Sequence, residues 1–134
     1  MTSKRLAYTI AELMFSKKGA DVVLLDLKKI TSTADYFIVC SADSTTQEKA
    51  IADNIRDGLE DMNIPIYHFE GYHALSWIVL DYVDVVAHVF YKESRSFYNL
   101  ERLWADAKRT EMHDDEEIIP VPRKKLPLKI KKNR

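Results

Sequence analysis

The chain has only three glycines in 134 residues, Gly19, Gly58 and Gly71, and they are widely separated. Walker loops and dinucleotide fingerprints need clustered glycines, so nucleotide hydrolysis through those motifs is excluded. Cysteine occurs once, as Cys40, which rules out an internal disulfide; within YFIVC it reads as a small buried hydrophobe in a reducing compartment rather than a nucleophile. No apolar run approaches the roughly 20 residues that span a bilayer, and the amino terminus lacks the apolar core of a secretory signal, so a cytoplasmic location is expected. The four histidines, His68, His73, His88 and His113, show neither H-x-x-x-H nor H-E-x-x-H spacing, so no zinc site and no cofactor is expected. Ser76 lies in no nucleophile elbow.

Prolines are also few, and three of the four (Pro120, Pro122, Pro127) fall in PVPRKKLPLKIKKNR at residues 120–134. That segment carries Arg123, Lys124, Lys125, Lys129, Lys131, Lys132 and Arg134 and no acid. The overall charge of −1 therefore hides 13 basic against 21 acidic residues elsewhere, a net −8. The prolines prevent a regular helix and mark an extended tail. A division into a domain at 1–110 and a tail at 111–134, acidic and then basic, is expected. The tail serves either as a solubilising appendage or as an arm for a phosphate backbone, with Arg123, Lys124, Lys125, Lys129, Lys131 and Lys132 as its weak nucleic-acid contacts.

Apolar periodicity supplies the elements. Leu6, Ile10, Leu13 and Met14 recur at helical spacing over residues 3–17 before Gly19. Residues 22–27 and 36–40 are dense in β-formers, and Ser44 with Gln47 begins a second helix by a capping box, with Ile51, Ile55, Leu59 and Met62 on its apolar stripe. A strand at 66–69 then makes a βαβ unit, expected to leave the second and third strands parallel. Ser94 is expected to cap a last helix whose Phe97, Leu100, Leu103, Trp104 and Ala107 face the sheet. The order is α-β-β-α-β-β-β-α, a mixed α/β fold with a mixed sheet of about five strands and flanking helices.

The stretch WIVLDYVDVVAHVF at residues 77–90 reads as a hairpin with Tyr82 and Val83 at its tip, which places Asp81 opposite Asp84 and Trp77 opposite His88. One face carries Ile78, Leu80, Val85, Ala87 and Val89, all aliphatic. The other mixes aromatic and titratable groups, and from the hairpin Trp77, Val79, Tyr82, Val86, His88 and Phe90 are the expected partner contacts. Trp77 is the expected anchor, and Trp77→Ala is expected to leave the fold intact. Asp81, Asp84 and His88 suit a metal in principle, but hairpin-tip aspartates are ordinarily turn residues, so no metal site is assigned.

With ESRSFYNLERLWADA following, this stretch resembles the signature of the ribosomal silencing factor family, which includes Iojap. Trp77, Asp81, Asp84, His88, Val89, Arg95, Tyr98, Leu100, Glu101, Leu103 and Trp104 stand where its pattern asks, and the likeness covers residues 5–107. The family usually has glycine where Val83 and Ala42 stand. The resemblance implies a nucleotidyltransferase-like domain without enzymatic activity. It further implies binding to the large ribosomal subunit through ribosomal protein number fourteen, a block on subunit association that represses translation under nutrient limitation, and a homodimer when free. The rival expectations are a degenerate or active nucleotidyltransferase-like enzyme, or an RNA-binding module acting through the basic tail. CSADSTTQ offers Asp43 without the second carboxylate that two-metal chemistry needs.

Overall fold

The computed structural model describes residues 1–114. The tail contacts expected at Arg123, Lys124, Lys125, Lys129, Lys131 and Lys132 lie outside the described residues.

Helix α1 (Ser3–Ser16) starts where the Thr2 hydroxyl accepts the Arg5 amide, and it buries Leu6, Ile10 and Met14. Strand β1 (Ala20–Asp26) runs antiparallel to β2 (Tyr36–Ala42). Helix α2 (Thr45–Asp61) is capped by Ser44, whose hydroxyl accepts the Gln47 amide. The Gln47 side chain closes the cap one residue earlier than expected, accepting from the Asp43 amide at 2.7 Å. Its amide nitrogen also donates to the Lys17 and Lys18 carbonyls, so one residue caps α2 and ties it to the end of α1.

Strands β3 (His68–Glu70), β4 (Trp77–Asp81), β5 (Val85–Tyr91) and β6 (Lys108–Glu111) complete one six-stranded mixed sheet in the order β3-β4-β5-β2-β1-β6. The parallel pair is β2 with β5. Strand β3 points the same way as β2 but stands at the edge against β4. It is only three residues long and mostly exposed, whereas β5 is apolar on both faces and takes the buried place beside β2. Strand β6 was not expected. Its residues KRTE show no apolar alternation, and that charge suits an exposed edge.

Alternation along the strands divides the core. Val22, Leu24, Ile38, Cys40, Ile78, Leu80, Val85, Ala87 and Val89 pack with Ile10, Met14, Ile51, Ile55 and Leu59 of α1 and α2. The opposite face carries Val23, Leu25, Val39 and Phe90, partly covered by the segment after β5. That segment is not the single helix expected. It forms α3 (Lys92–Tyr98) and α4 (Leu100–Leu103), broken where Asn99 takes a left-handed φ of 49°. Asparagine tolerates that region better than other non-glycine residues. Ser94 lies inside α3, whose N-cap is Tyr91. Leu100 and Ala107 are buried, whereas Phe97 and Leu103, expected against the sheet, are exposed.

Candidate functional site

The hairpin keeps both of its faces but not its register. Trp77 pairs with Phe90, Val79 with His88 and Asp81 with Val86. Tyr82 donates its amide to the Val85 carbonyl, which moves the tip to Val83 and Asp84. The shift is two residues in pairing and so leaves the strand side chains on their expected faces, Tyr82 of the expected tip excepted. Tyr82 follows the alternation and is buried beside Ile78 and Leu80 on the helix-covered face, away from the other expected contacts. The cause lies in the turn, where the Asp84 amide bonds the Tyr82 carbonyl at 3.0 Å around Val83 at φ 76°. The Asp81 carboxylate accepts the Val83 amide at 2.8 Å and holds it there. Asp81 is thus a turn residue. Ala42 ends β2 opposite Tyr91, buried and in a strand, where no glycine is needed.

On the second face, Trp77, Val79 and Val86 are half-buried, as is Phe37 beside them. Phe90 and His88 are buried. The ring of Phe90 stacks on Trp77 with centroids 5.0 Å apart, and Tyr98 of α3 lies against Trp77 at 4.9 Å. The indole N–H of Trp77 donates to Nδ1 of His88 at 3.0 Å, which assigns the histidine proton to Nε2. Burial pushes the imidazole pKa down to about 3, so His88 is a neutral packing residue. The expected contacts are therefore not equivalent. Trp77, Val79 and Val86 reach the surface; His88 and Phe90 support them from beneath, and Trp77 is itself part of the packing.

Arg95 is the residue whose role the sequence did not disclose. Its guanidinium donates to the Asp21 carbonyl at 2.7 Å, to the Ser41 hydroxyl at 2.9 Å and to both carboxylate oxygens of Glu101. Arg109 from β6 reaches the same carboxylate at 3.3 Å. Burial raises the Glu101 pKa, but the Arg95 hydrogen bonds and the two guanidinium charges outweigh it and hold the carboxyl below the usual range. Six residues separate Arg95 from Glu101, a spacing that a continuous helix does not bring together, so the break at Asn99 makes this clamp possible.

Burial pushes the Cys40 thiol up to about 12, so it is inert at neutral pH. Among the described residues no three of histidine, cysteine, aspartate and glutamate gather as a metal site. No helix among them is long and apolar enough to cross a membrane. Asp43, the carboxylate weighed for metal chemistry, sits 3.8 Å from Lys92 in an exposed ion pair.

The family model described as "Ribosomal silencing factor during starvation" matches residues 1–132. The chain belongs to the ribosomal silencing factor family. It is 39% identical to the Bacillus subtilis ribosomal silencing factor over 107 residues, which cover 80% of this chain and 91% of that protein. It is 30% identical to the chloroplastic Iojap protein of Zea mays, covering 81% of this chain but 47% of that longer protein. Its fold is similar to that of a solved protein from Chromobacterium violaceum, with a TM-score of 0.77 at 31% identity, covering 84% of this chain and 94% of that one. A solved protein from Bacillus halodurans gives 0.73 at 35% identity, covering 81% and 99%.

Proposed function

We propose that this protein silences translation by binding the large ribosomal subunit through ribosomal protein number fourteen, so that its bulk blocks docking of the small subunit. Membership of the ribosomal silencing factor family is the observation that carries this reading. The half-open sheet face supplies a surface suited to it. Trp77, Val79 and Val86 are its contacts, and His88 and Phe90 fix their height and orientation. Steric blocking needs no bond making, so the protein acts without catalysis and without a cofactor. An interface of about 1,600 Å² is enough to hold a factor of this size in place.

The finer assignments follow from the same reading. The protein works in the cytoplasm, represses translation when nutrients are short, and is a homodimer when free. The basic residues 123–132 add weak contacts to ribosomal RNA. The nucleotidyltransferase-like layout is architectural, since the second metal-holding carboxylate is missing beside Asp43.

The test is sedimentation of the purified protein with purified large subunits, followed by a subunit-joining assay. Co-sedimentation with large subunits and dose-dependent loss of joined ribosomes are expected. Migration of the wild-type protein at the top of the gradient under low-salt conditions would sink the reading.

A further inference from the structure

Helix α2 carries a carboxylate on its buried stripe. Glu48 stands three residues before Ile51 and four before Ala52, on the face that packs against the sheet, and it is 0% exposed. Both of its carboxylate oxygens are buried without a hydrogen-bond partner among the described residues. An ion in that place is costly, so the group is seated in its neutral form.

Its position is the joint between the two long helices. In the first turn of α2 the Glu48 amide donates to the Ser44 carbonyl at 2.9 Å, and the neighbouring Gln47 side chain ties that turn to the Lys17 and Lys18 carbonyls at the end of α1. These side-chain ties are exposed, so water can replace them. Further along α2, Asn54 donates to the Leu13 carbonyl and to the Ser16 hydroxyl, both at 2.9 Å, and the first of these bonds is partly buried. The joint therefore has a loose end and a firm one, and Glu48 lies at the loose end. The exit of α1 is also strained, with Lys18 at a left-handed φ of 66°. Beside it, a Cβ on Gly19 would stand 3.4 Å from the Cys40 sulfur, and burial above all, with the Glu48 carboxylate after it, keeps that thiol protonated.

Helix α2 packs on α1, β2, β4 and β5. The ionisable groups that these elements bring to its side of the sheet are Glu12, Lys17 and Lys18 from α1 and its exit, Tyr36 and Cys40 from β2, and Tyr91 from β5. Lys4, Arg5 and Tyr8 belong to the first turns of α1, and Asp81 of β4 to the other face. On α2 itself, Lys49 lies over the Tyr72 ring at 5.1 Å and Asp53 accepts the Tyr72 hydroxyl. Among the described residues no ion pair joins any of these to Glu48, and burial alone sets its pKa, raising it to about 7.

We propose that Glu48 is a proton-operated latch on the joint between α1 and α2. While neutral, it lets the first turn of α2 seat on the sheet; once ionised, it draws that turn out to water and frees the end of α1. Exposed ties alone oppose the movement, and Asn54 keeps the rest of α2 in place. The seated carboxyl titrates above its ordinary 4.5, so the latch is shut below that pH and loosens as the pH rises through 7.

The experiment is hydrogen exchange of the full chain at pH 5 and pH 8, corrected for the intrinsic rate at each pH, on the wild type, Glu48→Gln and Glu48→Leu. In the wild type the amides of Asp43, Gln47 and Glu48 are expected to lose protection by about tenfold or more relative to those of Ile55 and Leu59 as the pH rises. Both variants are expected to hold that ratio within about twofold, because neither carries a titrating group at the joint. An unchanged ratio in the wild type would overturn the proposal. Equal loss at Ile55 and Leu59 would mean that the whole helix yields, and the same loss in the variants would assign the effect to another group; either result overturns it too. If Glu48→Gln does not fold, Glu48→Leu decides alone, and failure of both to fold would make the carboxyl a structural requirement and sink the latch.

Discussion

The indole N–H of Trp77 donates to the imidazole Nδ1 of His88 across the hairpin at 3.0 Å. The two residues are offset by two pairs in the ladder, because Trp77 pairs with Phe90 and His88 with Val79. This bond makes the tryptophan as much a part of the fold as of any interface.

Trp77→Ala is therefore expected to destabilise the protein, contrary to the expectation from the sequence. It removes the stacking partner of Phe90 and Tyr98 and leaves a buried histidine nitrogen without its donor. Truncation of such an aromatic costs about 3 kcal/mol, whereas Trp77→Phe keeps most of the packing and costs about 1 kcal/mol. Urea denaturation of both variants checks this. A Trp77→Ala midpoint equal to that of the wild type would show that the ring contributes nothing to the fold.

The stability profile against pH is expected to fall on both sides, through two different residues. Burial lowers the His88 pKa to about 3 from its ordinary 6.5, so its contribution is present above pH 6.5 and is lost as the pH falls toward 3. Burial raises the Glu48 pKa to about 7 from 4.5, and its carboxylate oxygens have no hydrogen-bond partner among the described residues. Its contribution is present below pH 4.5 and is lost as the pH rises through 7. Glu48→Gln is expected to flatten the alkaline limb, adding on the order of 1 to 3 kcal/mol at pH 8, and to leave the acid limb in place. Denaturant midpoints measured from pH 4 to pH 8.5 separate the two limbs.

Much of this fold could be read from the residues because the relevant patterns are local. The apolar stripe of Ile51, Ile55 and Leu59 placed α2, and alternation separated Ile78 and Leu80 from Trp77 and Val79. What escaped depends on contacts distant in sequence. Arg95 meets Asp21 and Ser41, 74 and 54 residues away, and in SRSFYNLERLW the one local sign of the helix break that permits it is Asn99, inside an otherwise continuous helical pattern. Strand β6 pairs with β1 although its own sequence lacks any strand period. For the candidate site, polarity and alternation told which face each residue occupies; they did not tell that α3 and α4 would bury Phe90 while leaving Phe97 and Leu103 outside.

Arg95→Ala is expected to loosen the segment after β5 without unfolding the helix-covered core. The change leaves Arg109 as the one cation on Glu101 among the described residues and takes the guanidinium donor from the Ser41 hydroxyl and the exposed Asp21 carbonyl. Removing one partner from such a largely buried cluster costs about 2 to 4 kcal/mol. Hydrogen exchange is the measurement: amides of α3 and α4 should lose protection far more than those of α2. Equal loss in both would show that the clamp holds the whole sheet rather than the elbow.

Val83 occupies φ 76°, where a β-branched side chain meets its own backbone. The hydrogen bond from Asp84 to the Tyr82 carbonyl and the Asp81 carboxylate on the Val83 amide force it there, at a cost on the order of 1 to 3 kcal/mol. Glycine adopts that conformation freely but loses more chain entropy on folding, which offsets part of the gain. Val83→Gly is therefore expected to stabilise the protein by about 1 kcal/mol and to raise Tm by about 3 to 5 °C. Asp81→Ala is expected to do the opposite, because the strained turn loses its staple. Calorimetry of both variants decides the matter: a Val83→Gly protein that melts lower than the wild type would mean that the half-exposed valine stabilises the hairpin tip by contacts worth more than the strain.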